Sequence, residues 1–507
     1  MAQRRLMQPK KYVEGRDLET LIQEKRSRGL RIGLCHGVFD LIHIGHIVHF
    51  KEAKSLVDCL IVSITADAFV NKGPGRPLFY QDQRIEFLSE LEVLDHVVIS
   101  NNMTADTIIE QVRPNLYFKG SDYKTFEDDL TGNIKSEASL VQKYGGQIHF
   151  TQGVTSSSSK LINSTLSPFN RDVYSWISEF KEKYKIQEIN AYLDAISNLD
   201  VVLIGEIIID KYTYVDALAK TTKDPLLAFH LGQTTVFPGG VLAIASNMQG
   251  WVKTLTLITC TGNSDAQLEE FIQKTNCMSV LIKTNSPNIT KHRYLDKGTR
   301  QKLFETYDFD PNYFSVRDIS DELPQKVIQS ADVVVVADYG HGMLESKALN
   351  LIASLSSFLC VNVQANAGNR GFNNFDKYPR FDFFTANSGE LQIQSRKTHP
   401  DYEKLIRDIM LAKQASCAIL TQGERGLTVY DRDSFGFAPA LATSVIDKIG
   451  AGDSVLAISS LLVRVGAPLE IVAFVSNLVA AKEVSHLGHQ KPLSLGDLKR
   501  QIKSLLS

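Results

Sequence analysis

Residues 33–50, GLCHGVFDLIHIGHIVHF, decide how the first part of this 507-residue chain folds. An apolar run ends in Cys35-His36-Gly37, a short turn passes through Phe39 and Asp40, and after His43-Ile44-Gly45-His46 the apolar spacing becomes helical. The pattern predicts a strand feeding a helix. His43 and His46 stand three apart at the helix start, so they share one face beside unpaired backbone N–H groups and the positive end of the helix dipole. Anions bind at such a place. Two imidazoles with open amides suit a nucleotide α-phosphate that gains charge and neighbours during in-line displacement, which points to nucleotidyl transfer. The alternative is a pair of histidines that merely begins a core helix. The strand-turn-helix context favours the functional reading.

Outward from this stretch, strand and helix patterns alternate. A polar arm and a helix over 17–28 precede it. Helices are expected over 46–56, 81–90 and 104–111, and strands over 59–64, 96–100 and 116–119. Alternation of this kind builds an α/β domain with a parallel sheet, whose ligands sit beyond the carboxyl ends of the strands. Between Val62 and Pro77 the chain reads as a mobile Gly/Pro-rich loop with Lys72 and Arg76, able to close over a triphosphate and exclude water. Lys72 is the candidate clamp for the α/β-phosphates; a solvated loop lysine is the plain alternative. Four serines at 156–159 precede a helical pattern. Ser158 and Ser159 can hold the departing pyrophosphate at a helix start, unless the run is only a flexible linker.

The signature GxFDxxHxGH, together with SITADAFVNKGPGRPLF, QRIEFLSELEVLDHVVI, PNLYFKGSDYK and TSSSSKLI, resembles the nucleotidyltransferase family that includes cytidylyltransferases and heptose-phosphate adenylyltransferases. The likeness covers about residues 30–163 and implies a Rossmann-like domain. It implies that His43, His46 and Lys72 are catalytic and that Gly37, Phe39 and Arg76 meet the nucleotide. Lys119 and Asp122, in the segment equivalent to KGGDY, would line the sugar-phosphate and nucleotide pocket. Ser158 and Ser159 replace two threonines usual in the family, and the hydroxyl donors survive.

The formal net charge of -2 and pI near 6.6 give no basic excess for a nucleic-acid partner. With 43% hydrophobic residues and no unbroken apolar run long enough to span a bilayer, the expectation is a cytoplasmic globular protein of two or three domains. Six scattered cysteines show no zinc spacing and read as core thiols, with Cys35 beside the phosphate turn the one that oxidants would reach.

Residues 164–199 read as a structured helical connector, with Trp176, Ile177, Phe180 and Tyr184 on a packed helix over 173–186, possible ground for a dimer contact. A second alternating region then runs over 200–507, opening on VVLIGEIIID, read as one buried strand ending at Asp210. Near its end Gly450-Ala451-Gly452 opens a helix with Asp453 in the first turn. Glycines let backbone N–H groups approach a phosphate, and Asp453 can take the proton of an attacking hydroxyl.

With FPGGVLAIASNM, TKHRYLD, VVVVADYGHGML, TANSGE and TQGERG in order, this half resembles the ribokinase-like sugar kinases over about residues 200–500. The resemblance implies that Asp210, Gly239 and Gly240 hold sugar hydroxyls, that Asn387 and Glu390 organise phosphate and Mg²⁺, and that Thr421 and Gly423 border ATP. Gly450, Ala451 and Gly452 would cradle phosphate, with Asp453 the base. Lys291 and Arg293 either meet a substrate phosphate or are surface charges. Two departures stand out: Ala243 replaces the usual Asn of GGAAN, and His341 stands where Lys is common.

The pairing resembles the bifunctional ADP-heptose synthesis enzymes with the domain order reversed. It implies a homodimeric kinase and sugar 1-phosphate nucleotidylyltransferase, using Mg²⁺, ATP for the kinase, and ATP or CTP for the transfer, in making a glycan precursor. Ala243 keeps open a second possibility, a cytidylyltransferase for a polyol or sugar phosphate with a degenerate, ligand-sensing or dimerising kinase-like half.

Overall fold

The computed structural model describes residues 9–102, 104–120, 133–152, 169–221, 223–224, 226–262, 266–284, 287–309, 319–369, 371–488 and 492–506. It divides into two compact units, residues 1–178 with 496–507, and residues 179–495. Asp122, Ser158 and Ser159 lie outside the described residues.

In the first unit, β1 (Ile32–Gly37), β2 (Cys59–Thr65), β3 (His96–Ser100), β4 (Leu116–Lys119) and β5 (Gln147–Phe150) form a parallel sheet in the order β3-β2-β1-β4-β5. β1 is central and buried through Cys35, as a strand covered on both faces must be. One face packs Cys35, Phe50, Val62 and Phe118 beneath the helix Ile44–Ser55. The other packs Leu34, Ile61 and Tyr117 against the helices Gly15–Ser27 and Asp106–Val112. The chain runs outward from β1 through β2 to β3 on one side, then crosses back to β4 on the other side of β1. The turn after β1 thus sits at the topological switch point where such sheets take ligands.

Two sequence expectations need correction here. Cys35 is fully buried, and burial raises its thiol pKa, so it is closed to oxidants. The supposed loop from Val62 is strand as far as Thr65, and Asp67–Phe69 forms a 3₁₀ turn.

Among the described residues the second unit holds a nine-stranded sheet and a four-stranded sheet. Its strands are β6 (Asp200–Gly205), β7 (Ile207–Lys220), β8 (Leu227–Gly240), β9 (Thr254–Thr261), β10 (Met278–Lys283), β11 (Ile289–Asp296), β12 (Lys302–Asp308), β13 (Val333–Asp338), β14 (Leu359–Val363), β15 (Phe383–Asn387), β16 (Cys417–Thr421), β17 (Leu427–Tyr430) and β18 (Phe435–Ala438). The large sheet runs β10-β9-β6-β13-β14-β15-β16-β17-β18 and is parallel up to β16. The small one runs β12-β11-β7-β8.

VVLIGEIIID is therefore two strands in two sheets rather than one. The break falls at Glu206, whose buried carboxylate accepts the backbone N–H groups of Tyr339 at 3.0 Å and His341 at 3.1 Å. A buried carboxylate needs such donors, and they turn the chain out of the first sheet. The connector also differs from expectation. It holds two helices, Arg171–Lys183 and Ile186–Ile196, and Phe180 packs on Phe474 with ring centroids 4.5 Å apart.

The helix Leu495–Leu506 closes the chain. From Gly496 onward it groups with the first unit, not with the domain it follows in sequence. Its buried Leu498, Gln501, Ile502 and Leu505 recur at three- and four-residue spacing, giving one face to pack.

Candidate functional site

In the first unit β1 delivers the chain to a turn in which Phe39 takes a left-handed conformation, φ 50°. Such a geometry is costly for a side chain and persists only where surroundings impose it. The Phe39 ring lies over Gly37, where an added Cβ would meet it at 3.2 Å, so a larger residue there would press on the ring. His43 caps the helix Ile44–Ser55: its Nδ1 accepts from the Gly45 N–H at 3.1 Å, and His46 Nδ1 accepts from the His43 N–H at 3.3 Å. The two rings lie 4.0 Å apart, and His46 meets Phe39 edge-on.

The sequence suggested open amides beside the histidines; instead the imidazoles occupy the N–H groups of His43 and Gly45. A helix start needs acceptors, and the nearest are these ring nitrogens. With Nδ1 accepting, a neutral ring carries its proton on Nε2, the atom that can donate to phosphate. Burial, then the neighbouring His43, pushes the His46 pKa down to about 3, so its ring is neutral at physiological pH. His49, one turn on, is lowered to about 4 by burial and bonds Thr151 at 2.7 Å.

Asp40 organises the loop opposite. It accepts the N–H groups of Leu78 at 2.7 Å and Phe79 at 2.9 Å, and Arg76 at 3.2 Å. Arg76 was expected to face nucleotide, but its side chain is 2% exposed and pairs with Asp40. Buried guanidinium demands a carboxylate, and the signature's own aspartate supplies it. Arg84 ties the same region together through Val38 O, Thr65 O, Phe79 O and Asp67. The loop is thus anchored on both flanks of Lys72 rather than free-swinging. Burial first, and then Arg76, lowers the Lys72 pKa to about 8. Lys119 pairs with Glu137 at 2.7 Å, a partner not legible in the motif.

In the second unit a cavity of about 310 Å³ gathers most of the expected residues. Asp210, Gly240, Lys291, Asn387, Glu390, Thr421, Gly450, Gly452 and Asp453 line it, joined by Arg293, Tyr339 and Lys448. Gly239, Gly423 and Ala451 do not line it. Gly239 lies beneath the Asp210 carboxylate, Gly423 opens a 3₁₀ turn, and Ala451 is the first residue of the helix Ala451–Arg464.

Gly450, with φ 85°, caps that helix and lets the chain turn into it. Asp447 fixes the approach: it accepts the Ile449 N–H at 3.1 Å, the Tyr212 hydroxyl at 2.8 Å and the Lys302 ammonium at 2.5 Å. Asp453, half-buried in the first turn, accepts the Tyr339 hydroxyl at 2.9 Å. Burial raises its pKa to about 6, against the lowering effect of Tyr339 and Lys291; Asp210 and Glu483 add to the rise. Tyr339 is the residue that sequence reading missed. It sits in the quoted VVVVADYGHGML, but its partner lies 114 residues away.

Arg293 is not a surface charge: it lines the cavity while held between Asp210 and Glu305. Lys291 is buried, lies 4.9 Å from the Tyr307 ring centroid, and has its pKa lowered by burial. His341 bonds the Tyr307 hydroxyl at 2.5 Å, and burial lowers its pKa to about 4, so it does not replace a lysine's charge. Ala243 is buried in the helix Val241–Met248.

Glu390 is in a reciprocal cap with Asn387, accepting its N–H at 2.8 Å, and burial raises its pKa to about 7. Among the described residues no group of three or more His, Cys, Asp or Glu side chains is placed to hold a metal. None of the described helices is long and apolar enough to cross a membrane.

Gly239→Ala is expected to cost about 1–3 kcal/mol of stability, the usual penalty for overpacking. The added Cβ would strike the Asp210 carboxylate and stand 3.0 Å from the Ile208 carbonyl oxygen, which cannot swing away. Denaturant unfolding measures it, and an unchanged midpoint would refute this packing.

Residues 34–166 match the cytidylyltransferase-like family, and residues 198–495 match the pfkB family carbohydrate kinases. Over 143 residues the chain is 36% identical to the bifunctional protein HldE of Ectopseudomonas mendocina, covering 28% of this chain and 29% of that one. The HldE of Geobacter sulfurreducens is 31% identical over 158 residues, or 31% of each chain. The chain thus spans under a third of the length of either relative. The crystal structure of ribokinase from Thermotoga maritima is 17% identical, with a TM-score of 0.48 over 60% of this chain and 99% of that one, too distant to carry an argument. Since the kinase match takes in residues 198–495, more than half of its length, this chain belongs to the pfkB family of carbohydrate kinases, with a cytidylyltransferase-like region ahead of the kinase.

Proposed function

We propose that this chain is a bifunctional enzyme that activates a heptose-like sugar in two steps. In the first, Asp453 takes the proton of the anomeric hydroxyl of a sugar or sugar phosphate as that oxygen attacks the γ-phosphate of ATP. In the second, the sugar 1-phosphate attacks the α-phosphate of ATP or CTP, and pyrophosphate leaves. His43 and His46 donate from Nε2 to the α-phosphate oxygens, and Lys72 steadies the triphosphate. A neutral His46 suits this role, since its Nδ1 accepts the His43 N–H and leaves the proton on Nε2.

The observation that carries the reading is the Asp453 carboxylate, lining the cavity beside Gly450 and Gly452 and held by the Tyr339 hydroxyl. Mg²⁺ fits as an ion brought in on the phosphates. Glu390 and Asn387 are the residues placed to organise it, and when bound it would neutralise phosphate charge. The setting we favour is a cytoplasmic homodimer making precursors of cell-surface glycans, with no membrane or nucleic-acid partner.

Purified protein assayed separately for ATP consumption with candidate sugars, and for pyrophosphate release from each triphosphate with sugar 1-phosphates, tests both steps. Ala243 favours a second reading, in which only the transfer step survives on a polyol or sugar phosphate. Pyrophosphate release without sugar-dependent ATP consumption would select it.

The pH dependence of the first step follows from the base. Asp453 must be ionised, so kcat/KM should rise with pH through about 6. Tyr339→Phe removes a hydrogen bond that favours the carboxylate, so the acid limb should move to higher pH. A limb that stays in place in the variant would separate Tyr339 from the base.

A further inference from the structure

Beyond its first residue, the helix Leu495–Leu506 lies outside both the cytidylyltransferase-like and the pfkB matches, and from Gly496 onward it is part of the first unit. Gln501 is 1% exposed in the middle of its apolar stripe. A buried amide is expensive unless bonded, and Gln501 Nε2 donates to Asn71 Oδ1, with Asn71 itself buried. Two residues on, Gly73 adopts φ +97°; an added Cβ there would lie 3.7 Å from Leu505 and 4.0 Å from the Gln501 carbonyl oxygen. Asn71 and Gly73 flank Lys72. The lysine thus sits on a turn held by Asp40 from within the transferase sequence and by the last helix of the chain from outside it.

We propose that the C-terminal helix is a positioning element of the nucleotidyl-transfer site, with Gln501 and Leu505 fixing the turn that aims Lys72. The proposal rests on the transfer reading above. It makes one end of the chain a structural requirement for chemistry performed at the other, although the sequence between them belongs to a different domain. The helix also reaches Lys72 by charge. Arg500, paired with Asp497 at 3.6 Å, acts on the Lys72 ammonium together with Arg76 and Arg84, and against Asp40; Lys72 in turn acts on His46.

The test uses the full chain. Gln501→Met keeps the volume and removes the amide bond. It should raise the KM for the triphosphate in pyrophosphate release about tenfold, the equivalent of about 1.4 kcal/mol, with kcat less affected and sugar-dependent ATP consumption unchanged. Arg500→Gln should move the alkaline limb of kcat/KM for pyrophosphate release upward from about 8, because removing a neighbouring cation lets Lys72 keep its proton. Arg500→Lys should leave that limb in place.

Folded Gln501→Met and Arg500→Gln proteins with wild-type KM and pH profile would overturn the proposal. If the wild-type protein releases no pyrophosphate with any triphosphate, the transfer reading fails by itself. The positioning claim is then read from the rate of Lys72 acetylation by acetic anhydride against pH, followed by mass spectrometry. A midpoint raised by Arg500→Gln, and a rate altered by Gln501→Met, sustain it; identical profiles overturn it.

Discussion

Asp453→Asn is expected to lower sugar-dependent ATP consumption by about 10²–10⁴-fold, the usual worth of a positioned general base, and to leave pyrophosphate release unchanged. The substitution is nearly isosteric and keeps an oxygen to accept the Tyr339 hydroxyl, so the cavity should stay intact. What it removes is the ability to take a proton at the floor of the cavity. An unchanged unfolding midpoint excludes a folding defect in the second unit, and unchanged pyrophosphate release shows that the first is intact. Phosphorylation persisting near the wild-type rate in Asp453→Asn would mean that another group is the base.

The second large effect belongs to His46. His46→Ala should reduce pyrophosphate release by about 10²–10³-fold, as loss of a preorganised donor to a developing charge does, while phosphorylation continues. Part of that loss would be structural, since His46 Nδ1 accepts the His43 N–H; removing a helix cap costs about 0.5–2 kcal/mol. Two further variants separate the contributions. His46→Asn places an oxygen near the Nδ1 position, so the cap and the unfolding midpoint should survive while the outward donor is lost. His46→Gln places an amide N–H near the Nε2 position and should retain part of the rate. Equal activity in His46→Asn and His46→Gln would contradict a donor role for Nε2.

The local parts of this molecule were readable from the chain. The strand ending at Gly37, the helix beginning beside His43, and the glycine-led helix before Asp453 all depend on residues within a few positions of one another. Apolar period, glycine and capping groups announce such elements directly. The same locality hides one feature: the motif marks the histidines as ligands, whereas their ring nitrogens are also the nearest caps for the amides at the helix start. The strand break at Glu206 was hidden because its cause, the N–H groups of Tyr339 and His341, lies more than 100 residues downstream.

By itself the sequence determined that there are two α/β parts, in which order they come, and which short motifs bring imidazoles, glycines and carboxylates to the ends of strands. Only the tertiary structure decided which charges are spent internally and which face a cavity. Arg76 goes to Asp40 and Lys119 to Glu137, while the Arg293–Asp210 pair lines the pocket together with Lys291 and Asp453. It also decided that the last helix of the chain stands against the loop of Lys72. The reason is physical: hydrophobic period and capping act over a turn or two of chain, whereas a buried charge or amide takes whichever partner the fold brings within about 3 Å, however distant in sequence.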